Sequence, residues 1–198
     1  MSVLICVPTY ETIATECYKA LWELDDCGHD LYFDAVKGHD CARARIKCCE
    51  KALDMGADWL LMVDSDTVVP HDALANMVAD DVDLCLGYYQ YKSKPEGETC
   101  LWKPGAWGER FRAAELRALA ERGMGAVHVQ GGGMGCALVR ASMLRELPCP
   151  WFKWVVTADG VETGEDVFFC DLARAHGFGI FADARVACGH VYAERHDV

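Results

Sequence analysis

The sequence predicts an α/β domain: a mixed, mostly parallel sheet flanked by helices. Three observations carry that expectation. Apolar runs of strand length alternate with helical spacing in a βαβαβαβ order through Tyr89. The run Trp59-Leu60-Leu61-Met62-Val63 is apolar throughout and bounded by charge, as in a strand covered on both faces. The chain has 198 residues, 52% of them hydrophobic, enough for one domain with a real core.

The elements follow in order. Val3 to Val7 reads as a short buried strand stopped by Pro8-Thr9. Ile13 to Leu24 has helical spacing and ends near Cys27-Gly28. Leu31 to Val36 alternates like a strand. Ala42 to Leu53 is helical, with Gly56 as its stop. After the strand Trp59 to Val63, Pro70 opens a helix through Met77, and Asp83 to Tyr89 is strand-like. Tyr91 to Gly108 is polar, holds Lys92, Lys94, Pro95 and Gly97, and reads as a long surface loop. Arg112 to Glu121 is a helix closed by Gly123. Val127 to Gln130 is a short strand running into Gly131-Gly132-Gly133. Cys136 to Val139 is a strand and Ala141 to Leu147 a helix. Gly164 introduces a helix that ends near Gly177, and Ile180-Phe181 and Val186-Ala187 are late strands. No internal repeat or low-complexity linker divides residues 1–198, so a single domain is expected.

Composition narrows the partners. The formal net charge of −12 argues against a protein that wraps nucleic acid. Twelve cysteines suggest a disulfide framework until their spacing is read: no Cys-x-x-Cys occurs, Cys48 and Cys49 are adjacent, and most sit in apolar elements. Small buried hydrophobes kept reduced is the simpler reading. No stretch is long and apolar enough for a transmembrane helix, and the N-terminus lacks the basic region of a signal peptide, so a cytoplasmic location is expected.

The strongest chemical signal is Asp64-Ser65-Asp66, where the apolar run Trp59–Val63 gives out. A spacing of two points both side chains to one side if strand geometry persists. Two carboxylates so aimed repel, and a divalent cation relieves them. The pair also fits a simpler role, one aspartate capping a helix and the other solvated. Pro8, Thr9, Tyr10 and Glu11 follow the first strand, at the edge where open α/β sheets bind ligands; a plain turn is the alternative. Arg43 and Arg45 open the next helix, where a guanidinium can meet a diphosphate; they project differently, so one of them at most reaches a ligand. Glu165 and Asp166 start a helix behind Thr163 and Gly164. They suit either a capping box or a carboxylate base held by the helix dipole. His190 follows a late strand and matters only if the fold returns it to Asp66.

As an ordered set these pieces resemble the GT-A fold glycosyltransferases, nucleotide-diphospho-sugar transferases of the family-two-like group. The matching residues are Val7-Pro8-Thr9-Tyr10, Ala42-Arg43, Asp64-Ser65-Asp66, the glycine-rich Gly131 to Gly135, Gly164-Glu165-Asp166 and Gly189-His190, which together cover nearly the whole chain. The family's Ala-Arg-Asn pattern reads Ala42-Arg43-Ala44 here, a departure. The resemblance implies a Rossmann-like GT-A domain with a nucleotide-sugar half over 1–90 and an acceptor half over 91–198. It implies a nucleotide-diphosphate sugar donor, a UDP-sugar foremost, held by Pro8, Thr9, Tyr10, Glu11, Arg43, Asp64, Ser65 and Asp66. Mn2+ or Mg2+ would be held by Asp64, Asp66 and His190. Asp166 would be the base of an inverting transfer, and Gly132, Gly133, Trp151 and Glu165 would meet the acceptor. That acceptor stays open among a glycan, a lipid carrier, a protein and a modified nucleobase. Trp102, Trp107 and Trp154 lie in the same half, and residues 91–108 would form a lid.

Two other readings remain. Leu61-Met62-Val63-Asp64-Ser65-Asp66-Thr67-Val68 matches the nucleophile loop of haloacid-dehalogenase phosphatases, with Asp64 attacking phosphate, although no later lysine falls in a matching motif. A non-catalytic nucleotide-sugar-binding module is the second; the presence of both Asp66 and Asp166 argues against it.

Overall fold

The structure is a computed structural model that describes residues 1–90, 97–105, 108–156, 158, 160 and 162–191. Its elements are, in chain order, β1 Ser2–Thr9, α1 Thr15–Trp22, β2 Asp30–Lys37, α2 Cys41–Asp54, β3 Trp59–Val63, β4 Thr67–Val68, α3 Ala73–Ala79, β5 Leu84–Tyr88, β6 Glu98–Trp102, β7 Arg110–Arg112, α4 Ala113–Glu121, β8 Ala126–His128, β9 Gly131–Gly132, β10 Cys136–Arg140, α5 Ala141–Glu146, β11 Val155–Val156, β12 Glu162–Thr163, α6 Glu165–Ala175, β13 Phe181–Ala187 and β14 Gly189–His190.

A seven-stranded sheet in the order β2-β1-β3-β10-β5-β13-β8 forms the centre. Strands β2, β1, β3, β5 and β13 run one way; β10 and β8 run against them. Side-chain alternation divides the core between two faces. Val3, Ile5 and Val7 of β1, with Trp59, Leu61 and Val63 of β3, pack under α1 and α3. Leu4 and Cys6, with Leu60 and Met62, pack under α2, α5 and α6. A strand covered on both sides has no polar position to spare, which explains the unbroken apolar run in β3. Among the described residues no helix is long and apolar enough to cross a membrane.

The expected elements recur with shifted ends, and two differences have physical causes. The segment expected to be a loop carries β6, the middle of a small sheet β7-β6-β9. Thr99, Cys100 and Leu101 are buried there, too short a run to register among polar neighbours. Lys92, Lys94, Pro95 and Trp107, within the expected lid, lie outside the described residues. The second difference is that Ile180-Phe181 and Val186-Ala187 belong to one connected stretch ending in β13. Asp183 and Arg185 break its apolar pattern but are paired inside the fold. Arg185 Nη2 donates to Asp183 Oδ2 at 2.7 Å, Asp80 Oδ1 at 2.9 Å and the Asn76 carbonyl at 3.1 Å.

One guanidinium between two carboxylates leaves a negative charge in poor solvent. Burial, then the neighbouring Asp183 carboxylate, raises Asp80 to about 6. A raised carboxyl pKa gives stability that is complete below the ordinary carboxylate range and is lost as pH rises through the folded value. Asp80→Asn is therefore expected to gain stability relative to the parent protein between about pH 5 and about pH 7.5. Urea midpoints of both proteins at the two pH values check this, and an unchanged difference refutes it.

Candidate active site

A cleft of about 330 Å³ opens where β1 and β3 end and α2 begins, the carboxyl edge of the sheet. Pro8, Thr9 and Tyr10 form one wall, His39, Asp40, Cys41 and Ala44 another, and Asp64, Ser65 and Asp66 the floor. A larger groove of about 430 Å³ lies between α1 and the sheet edge at β2, but its walls are largely apolar and the paired aspartates are not there.

Local hydrogen bonds explain the cleft's shape. Thr9 Oγ1 donates to the Thr12 carbonyl at 2.6 Å, folding the chain back beyond β1 and leaving Tyr10 and Glu11 exposed at the rim. Asp40 caps α2, accepting from the Arg43 backbone N–H at 3.1 Å. After β3 the Thr67 N–H donates to the Asp64 carbonyl at 3.0 Å, closing a turn that presents Asp64, Ser65 and Asp66. The Asp64 N–H donates to the Gly135 carbonyl at 2.9 Å, anchoring that turn to the glycine-rich segment.

Arg45, not Arg43, faces the acids. Arg43 is exposed, whereas Arg45 is 3% exposed. Its Nη1 and Nη2 reach the two oxygens of Asp64 at 3.0 and 3.1 Å. Its Nε donates to Glu165 Oε1 at 3.2 Å and its Nη1 to the Met134 carbonyl at 3.2 Å. A planar fork suits this work, because each arm finds an acceptor without bending the others. Cys41 Sγ adds a 2.9 Å contact to Glu165 Oε1. Glu165, expected to meet an acceptor, is instead buried against Arg45 and Cys41. Burial raises the Asp64 pKa, and Arg45 opposes the shift.

Asp166 stands beside Glu165 at the start of α6. Thr163 is not the cap: Gly164 holds that position and gives no side-chain cap, while Asp166 Oδ1 accepts from the Val167 N–H at 2.7 Å. Burial, then the Glu165 carboxylate, raises the Asp166 pKa, and a hydrogen bond from Val167 pulls the other way.

His190 returns to the cleft. β14 pairs antiparallel with β4, which sets His190 opposite Thr67. The Val191 N–H donates to the Asp66 carbonyl at 2.7 Å, and His190 Nε2 lies 3.4 Å from Asp66 Oδ2. The Tyr89 ring stacks on the imidazole with centroids 5.3 Å apart. Asp66 and His190 thus offer one oxygen and one nitrogen to a common point, a donor set that suits Mn2+ or Mg2+ when substrate oxygens complete the shell. Among the described residues no group of three or more such side chains gathers. Asp64, expected as a ligand, has both oxygens turned to Arg45.

Three acceptor expectations need correction. A Cβ on Gly133 would sit 2.4 Å from Tyr89 Oη, and one on Gly132 would sit 2.6 Å from Leu101 Cδ2. These glycines are buried where side chains approach closely, and neither lines the cleft. Trp151 is 7% exposed and donates its indole N–H to the carbonyls of Leu144 and Leu147 at 3.1 and 3.2 Å, so it belongs to the core.

No protein-family model matches the sequence, and no curated protein matches it. Solved structures do match in fold. A197 from STIV superposes with a TM-score of 0.64 at 19% identity, over 97% of this chain and 86% of that one. GalNAc-T7, crystallised with UDP, GalNAc and Mn2+, superposes with a TM-score of 0.57 at 14% identity, over 98% of this chain and 43% of that one. The architecture of this chain, from the β1 edge to the β4–β14 pair, is the GT-A glycosyltransferase fold.

Proposed function

We propose that this protein is a metal-dependent, inverting glycosyltransferase of the family-two-like group that moves a sugar from a nucleotide-diphosphate donor, a UDP-sugar foremost, to an acceptor hydroxyl. One observation carries the reading. Asp64-Ser65-Asp66, Glu165-Asp166 and His190, far apart in sequence, meet at one edge of a GT-A sheet, with Arg45 joining two of the groups and Asp66 touching the third. Residues 1–90 supply the donor half and residues 91–198 the acceptor half.

Each residue then has a task. Pro8, Thr9 and Tyr10 border the nucleotide, and Ser65 lines the cleft floor beneath it. Asp66 and His190 hold the cation. Bound there, Mn2+ or Mg2+ neutralises the diphosphate as it leaves. Asp64, oriented by Arg45, faces the ribose. Asp166 takes the proton from the acceptor oxygen as that oxygen attacks the anomeric carbon from the side opposite the diphosphate. A raised pKa suits a base, because it strengthens proton affinity while the group is ionised. The phosphatase alternative fares worse: an Asp64 gripped by a guanidinium on both oxygens is a weakened nucleophile.

Thermal unfolding with UDP and Mn2+ tests the reading. At a ligand excess of about a hundredfold over Kd, binding adds about 2.7 kcal/mol. The upward shift should need both components and should vanish in Asp66→Asn. A shift from UDP alone that Asp66→Asn retains would exclude the cation site. Donor binding without turnover on any acceptor would leave a binding module.

A further inference from the structure

We propose that Trp154 is the platform on which the acceptor's own sugar ring stacks, and hence that the acceptor is a glycan. The inference rests on the sugar-transfer reading above and extends it to the acceptor.

Two tryptophans three residues apart have opposite fates. Trp151 is buried with its indole N–H satisfied, whereas Trp154 is 50% exposed. A large aromatic face left in water loses the burial that normally fixes it, so its place in the fold matters. Trp154 enters a short hairpin in which Val155 pairs with Thr163 and Val156 with Glu162. Continuing that register sets Trp154 across from Gly164, the residue before Glu165 and Asp166.

The spacing there is informative. A Cβ built on Gly164 would lie 2.6 Å from Asp166 Oδ1 and 3.9 Å from Trp154 Cζ3. The indole edge and the candidate base therefore flank one missing methyl group. Lys153 lies over the Phe168 ring at 4.6 Å, tying the segment before the hairpin to α6. Val156, also exposed, extends the apolar face.

A flat, exposed apolar ring beside a carboxylate recognises a molecule with one apolar face and an edge of hydroxyls. A pyranose ring has that form: its axial C–H groups rest on an aromatic face, and its hydroxyls point outward along the edge. Such a ring on Trp154 directs one edge at Asp166.

The test measures binding of neutral glycans without nucleotide. Methyl glycosides and linear tetrasaccharides of glucose, mannose, galactose and N-acetylglucosamine are titrated by NMR into the parent protein, Trp154→Ala and Trp154→Phe. At least one glycan should bind the parent. Its affinity should fall at least tenfold in Trp154→Ala and about threefold or less in Trp154→Phe, because phenylalanine keeps a face. UDP and Mn2+ should shift all three proteins alike. Glycan affinity that Trp154→Ala leaves intact overturns the proposal, as does a parent protein that binds none of the panel. Failure of the sugar-transfer reading is separately visible, as the absence of any Mn2+-dependent UDP shift in the parent.

Discussion

Arg45→Met is expected to destabilise the protein by about 3–5 kcal/mol and to abolish transfer. The guanidinium is buried and answers the two oxygens of Asp64, one of Glu165 and the Met134 carbonyl. Methionine fills a similar space, so the loss is not mainly one of volume. The cost is two carboxylates left in poor solvent with their shared cation removed. Arg45→Lys should fall between, because one ammonium cannot reach acceptors on both β3 and α6 in a fixed plane. Combining Arg45→Met with Asp64→Asn and Glu165→Gln should recover much of the stability while leaving transfer absent. Guanidinium denaturation with a constant slope measures each step. A loss below about 1 kcal/mol in Arg45→Met would mean that the network contributes little.

Asp166→Asn is expected to slow transfer roughly 10²–10⁴-fold while leaving donor binding unchanged, the range that general bases usually supply. Its effect on stability should run the other way. Burial and Glu165 raise the Asp166 pKa, so its contribution to stability is complete below the ordinary carboxylate range and is lost as pH rises through the folded value. Asparagine does not ionise. The variant should therefore gain on the parent between a pH below the ordinary carboxylate range and about pH 8. The parent's rate should fall on the acid side as Asp166 takes up its proton. Initial rates with Mn2+ and denaturation at both pH values check the pair of effects. Full activity in Asp166→Asn removes it as the base.

Much of this was legible in the order of residues, and the failures share a cause. β3 announces itself because both faces are covered, and the turn after it carries charge because the sheet ends there. By contrast, Arg43 and Arg45 both sit in the first turns of α2, and the choice between them depends on which way the helix is rolled, information held by β1 and β3. Trp151 and Trp154 pose the same question: a core carbonyl pair takes one indole, and a hairpin lifts the other into solvent. The glycine run looked like a ligand loop because glycine admits close approach, but the approaching group is the Tyr89 ring. The insertion of β10 between β3 and β5 leaves no local trace, since its partners lie far away in sequence.

The β4–β14 ladder has a consequence for biosynthesis. Asp64, Asp66 and Arg45 leave the ribosome before Glu165 and His190 do. A nascent polypeptide halted before α6 carries Arg45 with half of its counter-charges missing, and one halted before β14 has no imidazole beside Asp66. On the proposed reading, the capacity to hold metal and nucleotide together would arise only once β14 has been made. A chain made only as far as α6 would then have little means of sequestering either.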